Sequence, residues 1–161
     1  LKIKKNILFL TLKKFKGLKY RQQIIHKTKE LTIINDSKAT SFSSSESLLK
    51  SLPNVSWIVG GLSKKNDKFI LSKKHCKDFK AYIFGINKKF YMNELKHKMQ
   101  TESFTNLKLL IKKIILDIKI NKLKDHKTIL FSPAGSSFDS FKNFEERGKY
   151  FNNLIKKNIN V

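Results

Sequence analysis

The sequence contains almost no cysteine and few histidines, and this excludes several kinds of site. Cys76 is the one cysteine among 161 residues, so the chain cannot form an internal disulfide. The four histidines lie far apart and share no metal-ligand spacing with Cys76. The sequence therefore predicts no zinc site and no other metal centre made by this chain.

Long hydrophobic runs are missing as well. Residues 7–12 form a mostly apolar stretch flanked by lysines, whereas a membrane helix needs about 20 apolar residues. Nothing resembles a secretory signal with a cleavage site. We therefore expect a cytoplasmic protein that is monomeric and has no membrane partner.

Arginine is scarce even though the chain is very basic. The net charge is +23, yet Arg21 and Arg147 are the two arginines among 35 basic residues, and the rest are lysines. Specific recognition of bases and phosphates favours the forked guanidinium of arginine. The lysines are spread in pairs along the chain and accompany many Ile, Asn and Phe residues, which share A/T-rich codons with lysine. Coding bias explains this pattern more simply than a polyanion site, so we expect no specific nucleic-acid partner.

The apolar patterns predict one α/β domain in which strands and helices alternate. Strands are predicted at 22–27, 31–35, 55–59, 79–84 and 128–131, and the first two are close enough to form a hairpin. Helices are predicted at 2–15, 46–52, 70–76, 88–98, 104–120 and 144–155. Such alternation is typical of a mostly parallel sheet with helices on both faces.

Three polar segments follow predicted strands: 35–40 (NDSKAT), 60–64 (GGLSK) and 132–148. The exits of parallel strands meet at one edge of a sheet, so we expect these segments to lie together. They supply hydroxyls, a lysine, loop amides and a helix N-terminus, which suit carboxylate or phosphate oxygens. No histidine lies near the loop serines in sequence, and residues 60–64 lack the spacing of a P-loop. The pattern predicts an anion-binding edge without a triphosphate site of its own.

Each motif taken singly also has an ordinary structural interpretation. A Gly-Gly pair after a strand is often a tight turn, and Asn-Asp-Ser is often an Asx turn or a helix cap. Ser136 and Ser137 can bond local backbone, and Lys64 can be a solvated surface lysine. The conjunction of all three segments is what favours a binding site.

Taken together, the segments resemble the Mur ligase family, and within it the members that add D-glutamate. The resemblance rests on FKGLKYR at 15–21, NDSKAT at 35–40, GG-x-x-K at 60–64 and SPAGSSFDSFKNFEERG at 132–148, in that order and spacing. It implies that residues 1–15 are the end of a central ATPase domain with its hinge. Residues 16–161 are then a single Rossmann-like C-terminal domain.

The resemblance also implies a reaction and a set of ligands. In this family, ATP with Mg²⁺ phosphorylates the carboxylate of UDP-N-acetylmuramoyl-L-alanine, and the amine of D-glutamate attacks the acyl phosphate, in peptidoglycan synthesis. ATP and Mg²⁺ are held mainly by the central domain, so this domain contributes no catalytic residue and is expected to be inactive alone.

The family's binding residues carry over to seven positions of this sequence. Thr40, Lys64, Ser137 and the backbone at Phe144 are expected to hold the two carboxylates of D-glutamate. Arg21 and Asp36 are expected to reach the phosphates and ribose of ATP, with Lys38 beside them.

The sequence departs from the family pattern at a few places. Tyr20 replaces a usual His, Ser41 a usual Asn, Leu62-Ser63 a usual Asp-Gly, and Gly135 a frequent Cys. The adjacent Lys64 and Lys65 leave the register of the second motif open by one residue. Two alternatives also stay open: another Mur-type or folylpolyglutamate-type ligase, and a lysine-rich nucleic-acid-binding module.

Overall fold

The computed structural model describes residues 4–15, 17–120 and 125–159, so Lys16 of the first motif lies outside the described residues. The helices are α1 (Lys5–Lys14), α2 (Phe42–Leu49), α3 (Lys88–Leu95), α4 (Leu107–Ile120) and α5 (Phe144–Asn158). The strands are β1 (Gln23–Lys27), β2 (Leu31–Asn35), β3 (Val55–Gly60), β4 (Lys80–Phe84), β5 (Gln100–Ser103) and β6 (Lys127–Phe131).

The six strands form one sheet in the order β1-β2-β6-β3-β4-β5. β1 pairs antiparallel with β2, which confirms the predicted hairpin. The other four neighbouring pairs are parallel. The predicted mostly parallel α/β sheet is therefore confirmed.

Helices cover both faces of the sheet, as the alternation predicted. Within β3, Trp57 and Val59 point to the face covered by α2 and α3, whereas Ile58 points to the face covered by α4 and α5. All three side chains are fully buried. Burial of one such aliphatic side chain stabilises the fold by about 1.5–3 kcal/mol, so the two apolar layers account for much of its stability.

The helix predicted at 104–120 is found as α4, and five of its apolar residues lie on one buried face. Its buried residues are Leu107, Leu110, Ile111, Ile114 and Ile115, and Ile118 packs against them partly exposed. The helix begins at 107 rather than 104, because the Phe104 N–H donates to the Ile83 carbonyl (2.8 Å) and extends the strand pairing. The Asn106 side chain then accepts the Leu109 N–H (3.0 Å) and caps the helix.

The helix predicted at 70–76 is wrong. Residues 73–78 form turns, and the Ser72 hydroxyl accepts the His75 N–H (3.2 Å) at their start. The apolar residues that suggested a helix, among them Leu71 and Cys76, instead anchor an irregular loop to the core on the α2 and α3 face. Apolar spacing over seven residues cannot distinguish these two outcomes.

The predicted helix at 88–98 ends earlier, and the sequence analysis missed a strand after it. α3 ends at Leu95, and β5 pairs with β4 in parallel. β5 has the sequence QTES and contains no buried residue. A polar edge strand of four residues carries neither the apolar alternation nor the β-branched content that predicts strands.

The order of the strands creates a crevice at the carboxyl edge of the sheet. The connection after β2 leads to α2 on one face, whereas the connection after β6 leads to α5 on the opposite face. β2 and β6 are neighbours, so their exits diverge. Sheets of this kind bind ligands where neighbouring connections diverge in this way.

Helix α1 stands apart from this core. It has no buried residue, and the apolar side chains of Ile7, Phe9 and Leu12 are more than half exposed. Across the described residues, no helix is both long enough and apolar enough to cross a membrane.

Candidate functional site

The three polar segments meet at the carboxyl edge of the sheet, as predicted. They follow β2, β3 and β6, which are adjacent in the order β2-β6-β3. The second and third segments pair through Leu62 and Ser136, whose N–H groups donate to each other's carbonyl oxygens at 3.0 and 2.9 Å. The Gly60 N–H also donates to the Pro133 carbonyl (2.8 Å). These backbone bonds make the two loops one unit.

Two glycines allow this close approach of backbones. A Cβ atom at Gly61, whose φ is +110°, would overlap the Ser136 carbonyl oxygen. A Cβ atom at Gly135 would overlap the hydroxyl of Tyr91 and crowd the Gly60 carbonyl oxygen at 3.0 Å. Gly61 and Gly135 therefore serve the packing of the two loops, whereas the ordinary interpretation of the Gly-Gly pair in the sequence was a tight turn.

Arg147 joins the first and third segments. Its Nε donates to the Ser37 hydroxyl (3.1 Å) and one terminal nitrogen donates to the Ser37 carbonyl (2.6 Å). The other terminal nitrogen donates to the Gly135 carbonyl (2.8 Å). The side chain is completely buried, and this burial lowers its pKa to about 10, opposed in part by Asp139 and Tyr91. A rigid planar fork with several donors suits this task, whereas the single ammonium of lysine does not.

The sequence analysis assigned no role to Arg147. One signal could have identified it. In a chain where nearly every basic residue is lysine, an arginine at a helix position indicates a site that needs the guanidinium geometry.

Asp36 lies at the centre of a polar network beneath the crevice. Its two carboxylate oxygens accept the Gln22 N–H (3.1 Å) and the Ser132 hydroxyl (3.0 Å). Ser132 also shares a hydrogen bond with the Ser45 hydroxyl (2.8 Å). The pKa of the Asp36 carboxyl is raised, because the effect of burial is the largest. The hydrogen bonds from Gln22 and Ser132 and the charge of Arg21 oppose this shift in part.

The three residues expected near the nucleotide share one cavity. Arg21, Asp36 and Lys38 line a space of about 520 Å³. The Lys38 N–H donates to the Tyr20 carbonyl (3.1 Å), which fixes the segment around Arg21 beside the first motif. Tyr20 and Gln22 have φ values of +62° and +46°. Left-handed backbone at non-glycine residues carries strain, and such strain is concentrated at functional sites.

The four residues expected to hold D-glutamate surround the neighbouring part of this edge. Thr40 and Lys64 are exposed, Ser137 is buried and Phe144 is half-buried. Asp67 links the first two loops, since its carboxylate accepts the Phe42 N–H (2.7 Å) and its N–H donates to the Lys64 carbonyl (3.2 Å). Within the described residues, the side chains of Thr40, Lys64 and Ser137 form no hydrogen bond with one another.

Helix α5 directs its N-terminus at this edge. Asn143 caps the helix by accepting the Glu146 N–H (2.8 Å), and the Glu146 carboxylate accepts the Lys142 N–H (2.7 Å). The Phe144 carbonyl accepts the Ser37 hydroxyl (2.8 Å). The amino end of a 15-residue helix favours a nearby anion.

Lys38 connects the two groups of site residues. Its ammonium lies 4.1 Å from the centre of the Phe144 ring, and the same side chain lines the cavity with Arg21 and Asp36. The sequence analysis placed Lys38 with the nucleotide residues alone. The structure places Lys38 in contact with Phe144 as well as in the cavity of Arg21 and Asp36, so its positive charge lies near residues of both groups.

The substitution of Tyr20 for the family's usual His has a structural consequence. A Cβ atom at Gly148 would overlap the Tyr20 ring, so this ring lies directly on the glycine of the FEERG sequence. The contact joins the first motif to α5 through ring packing.

The edge carries cations and hydrogen-bond donors. Among the described residues there is no group of three or more His, Cys, Asp or Glu side chains that could hold a metal ion. The cations of the edge include Arg21, Lys38 and Lys64, and they are accompanied by hydroxyls and the N-terminus of α5. Groups of this kind suit carboxylate or phosphate oxygens.

The chain is similar to a set of curated ligases over nine tenths or more of its length. It is 36% identical to the UDP-N-acetylmuramoylalanine–D-glutamate ligase of Wolbachia pipientis wMel over 146 residues, which are 91% of this chain and 28% of that protein. It is 35% identical to the ligase of the same name from the Wolbachia of Brugia malayi (strain TRS), over 98% of this chain and 31% of the relative. The corresponding protein of Prochlorococcus marinus (strain NATL2A) is 36% identical, over 91% of this chain and 32% of the relative.

The chain therefore spans about a third of the length of the curated relatives it matches. No model of a known protein family matches it.

Proposed function

We infer, from homology to UDP-N-acetylmuramoylalanine–D-glutamate ligases along nine tenths of the chain, that this protein supplies the D-glutamate-binding domain of such a ligase. In this proposal residues 16–161 are the C-terminal domain, and residues 1–15 are the end of the central ATPase domain with its hinge. The ligase acts in the cytoplasm and adds D-glutamate to UDP-N-acetylmuramoyl-L-alanine during peptidoglycan synthesis.

The strongest structural support for this assignment is the convergence of the three polar segments. The three segments that resemble the ligases in sequence are the same three that meet at the carboxyl edge of the sheet, where Arg147 joins the first to the third and backbone hydrogen bonds join the second to the third. A chance resemblance would not place all its motifs around one crevice.

The proposed role of this edge is to hold the two carboxylates of D-glutamate so that its amine faces the activated substrate. Lys64 supplies the charge for one carboxylate, and the Thr40 and Ser137 hydroxyls orient it by hydrogen bonds. The backbone N–H at Phe144, at the start of α5, serves the other carboxylate, with the Lys38 ammonium beside it. Correct orientation of the amine accounts for a large share of rate enhancement in a reaction between two bound substrates.

The Arg21 side of the edge is proposed to face ATP. The fit is partial: Arg21 and Lys38 match phosphate oxygens and Asp36 matches a ribose hydroxyl, but the described residues contain no ligand set for Mg²⁺. ATP and Mg²⁺ are therefore assigned mainly to a part of the ligase outside this chain. ATP supplies the phosphoryl group that activates the muramoyl-peptide carboxylate, and Arg21 neutralises phosphate charge.

A two-part experiment tests the proposal. The homologous segment of one of the relatives is replaced by this chain, and the chimeric ligase is assayed for amide formation with ATP, Mg²⁺, D-glutamate and UDP-N-acetylmuramoyl-L-alanine. The chimeric ligase should form product, whereas the 161-residue chain alone should form none. Product formed by the isolated chain would contradict the domain assignment.

A direct binding measurement covers the case in which the chimera fails to fold. D-Glutamate added to the isotope-labelled chain should shift amide signals in residues 36–40, 62–65 and 135–145. Shifts of equal size with L-glutamate, or shifts elsewhere in the chain, would argue against a D-glutamate site.

A further inference from the structure

A second basic site lies at the opposite, amino edge of the sheet. β4 and β5 are parallel neighbours with Lys80 opposite Gln100, so the segments that precede the two strands lie side by side. Those segments are the irregular loop of residues 73–78 and the residues 96–99 after α3. Each is rich in lysine, and the parallel register brings them together.

A groove of about 560 Å³ separates these two segments. Its lining includes five basic residues: Lys73, Lys77, Lys96, His97 and Lys98. The remaining lining residues are Cys76, Met99, Gln100 and Thr101, so no acidic side chain faces the groove. We define this set as the amino-edge groove.

In the neighbouring cavity, which is lined by Lys80 and Asp117, lysines form ion pairs with carboxylates. There Lys80 pairs with Glu102 (2.8 Å) and with Asp117 (3.3 Å), and Lys113 pairs with Asp117 (2.6 Å). In the amino-edge groove, by contrast, no ion pair is formed by Lys73, Lys96 or Lys98 within the described part of the chain. Lys77 has a loose contact with Asp78 at 3.8 Å.

Two carboxylates outside the lining are hydrogen-bonded to loop backbone. The Glu94 carboxylate accepts the Phe69 N–H (3.3 Å), and the Glu46 carboxylate accepts the Ile70 N–H (2.5 Å). Neither residue forms an ion pair with a lysine of the groove within the described residues. The groove therefore keeps an excess of positive charge, which attracts anions.

We propose that the amino-edge groove binds a compact multivalent phosphate. Four lysine ammonium groups act as separate point charges, which suits several phosphoryl groups better than one carboxylate. No Phe, Tyr or Trp side chain lines the groove, so it lacks the large aromatic rings on which a nucleobase usually stacks. This site is independent of the D-glutamate proposal, because the two sites lie at opposite edges of the sheet.

Inorganic tripolyphosphate is the probe for this site. Titrated into the isotope-labelled chain at 150 mM salt, a condition that weakens diffuse binding to lysines, it should shift amide signals in residues 73–77 and 96–101 and saturate as one site. Shifts spread over lysines of the whole chain would overturn the proposal, because they would show non-specific attraction to a very basic protein.

Paired variants provide the control. Lys73→Gln with Lys96→Gln removes two charges from the groove but keeps most of each side chain, and affinity should fall about tenfold, which corresponds to about 1.4 kcal/mol. Lys108→Gln with Lys112→Gln removes two charges from the exposed side of α4 and should change affinity less than about twofold. Equal losses in both pairs would overturn the proposal.

Discussion

Arg147 and Ser37 are joined by two hydrogen bonds although 109 residues separate them in sequence. The guanidinium donates to both the hydroxyl and the carbonyl oxygen of Ser37, at 3.1 and 2.6 Å. The same group reaches the Gly135 carbonyl at 2.8 Å. One side chain therefore sets the distance between the strand exits that form the candidate site.

Replacement of Arg147 by lysine should destabilise the domain although the charge is kept. A lysine cannot reach Ser37 and Gly135 together, so at least one buried carbonyl loses its partner, at a cost of about 2–4 kcal/mol. The melting temperature should fall by roughly 5–15 °C. Arg21→Lys, at the other arginine, is exposed and should leave the melting temperature nearly unchanged. Equal effects of the two substitutions would contradict the joining role.

Asp36→Asn should stabilise the domain at neutral pH. Burial raises the pKa of this carboxyl, so the native state holds its proton more tightly than the unfolded chain does. The contribution of Asp36 to stability is therefore greatest at low pH and is lost as the pH rises through the native pKa. Asparagine mimics the neutral form and removes this loss.

Thermal melts of both proteins across the acidic range check this sign. The melting temperature of Asp36→Asn should exceed that of the parent chain at pH 7, and the difference should shrink as the pH falls toward the ordinary pKa of an aspartate side chain. The opposite result would be a melting temperature of Asp36→Asn below that of the parent chain at pH 7. It would show that the hydrogen bonds of the Asp36 carboxylate outweigh the effect of its burial.

Arg21→Ala in the chimeric ligase should act on ATP rather than on D-glutamate. Arg21 lines the cavity with Asp36 and is exposed to it from a strained segment. A residue that neutralises phosphate charge as it develops should raise the apparent KM for ATP and lower kcat. Steady-state kinetics with each substrate varied in turn measure both effects. A change confined to the KM for D-glutamate would reverse the assigned roles of the two groups of residues.

Much of the fold was predictable because long apolar patterns dominate it. Helix α4 and the positions of five strands were predicted from their apolar patterns, and the buried strands are continuous apolar runs. The helix predicted at 70–76 is wrong because the same apolar residues anchor a loop. β5 was missed because a polar edge strand is defined by its partner strand and not by its own residues.

The candidate site was predictable in its parts but not in its connections. Motif order located the three segments, and parallel strands explain why they meet. The sequence could not show that Arg147 points inward, since a charged residue in a helix is usually at the surface. Nor could it show Lys38 lying over Phe144, because that contact depends on the angle at which α5 leaves β6.

The central claim is that Lys64 neutralises a carboxylate of D-glutamate. It is an exposed cation at the exit of β3, next to loops that supply neutral hydroxyls. A charge-assisted contact of this kind contributes about 1.5–3 kcal/mol, or roughly one to two decades in binding. Ser137→Ala should have a smaller effect, because it removes a neutral hydroxyl. ATP affinity should stay nearly unchanged in both variants.

The most direct test compares Lys64→Ala with Lys65→Ala in the chimeric ligase, with D-glutamate as the varied substrate. We expect Lys64→Ala to raise the KM for D-glutamate about ten- to hundredfold and Lys65→Ala to leave it nearly unchanged. Damage by Lys65→Ala alone would show that the motif is displaced by one residue. No effect of either substitution would contradict the account, since Lys64 would then be an ordinary surface lysine.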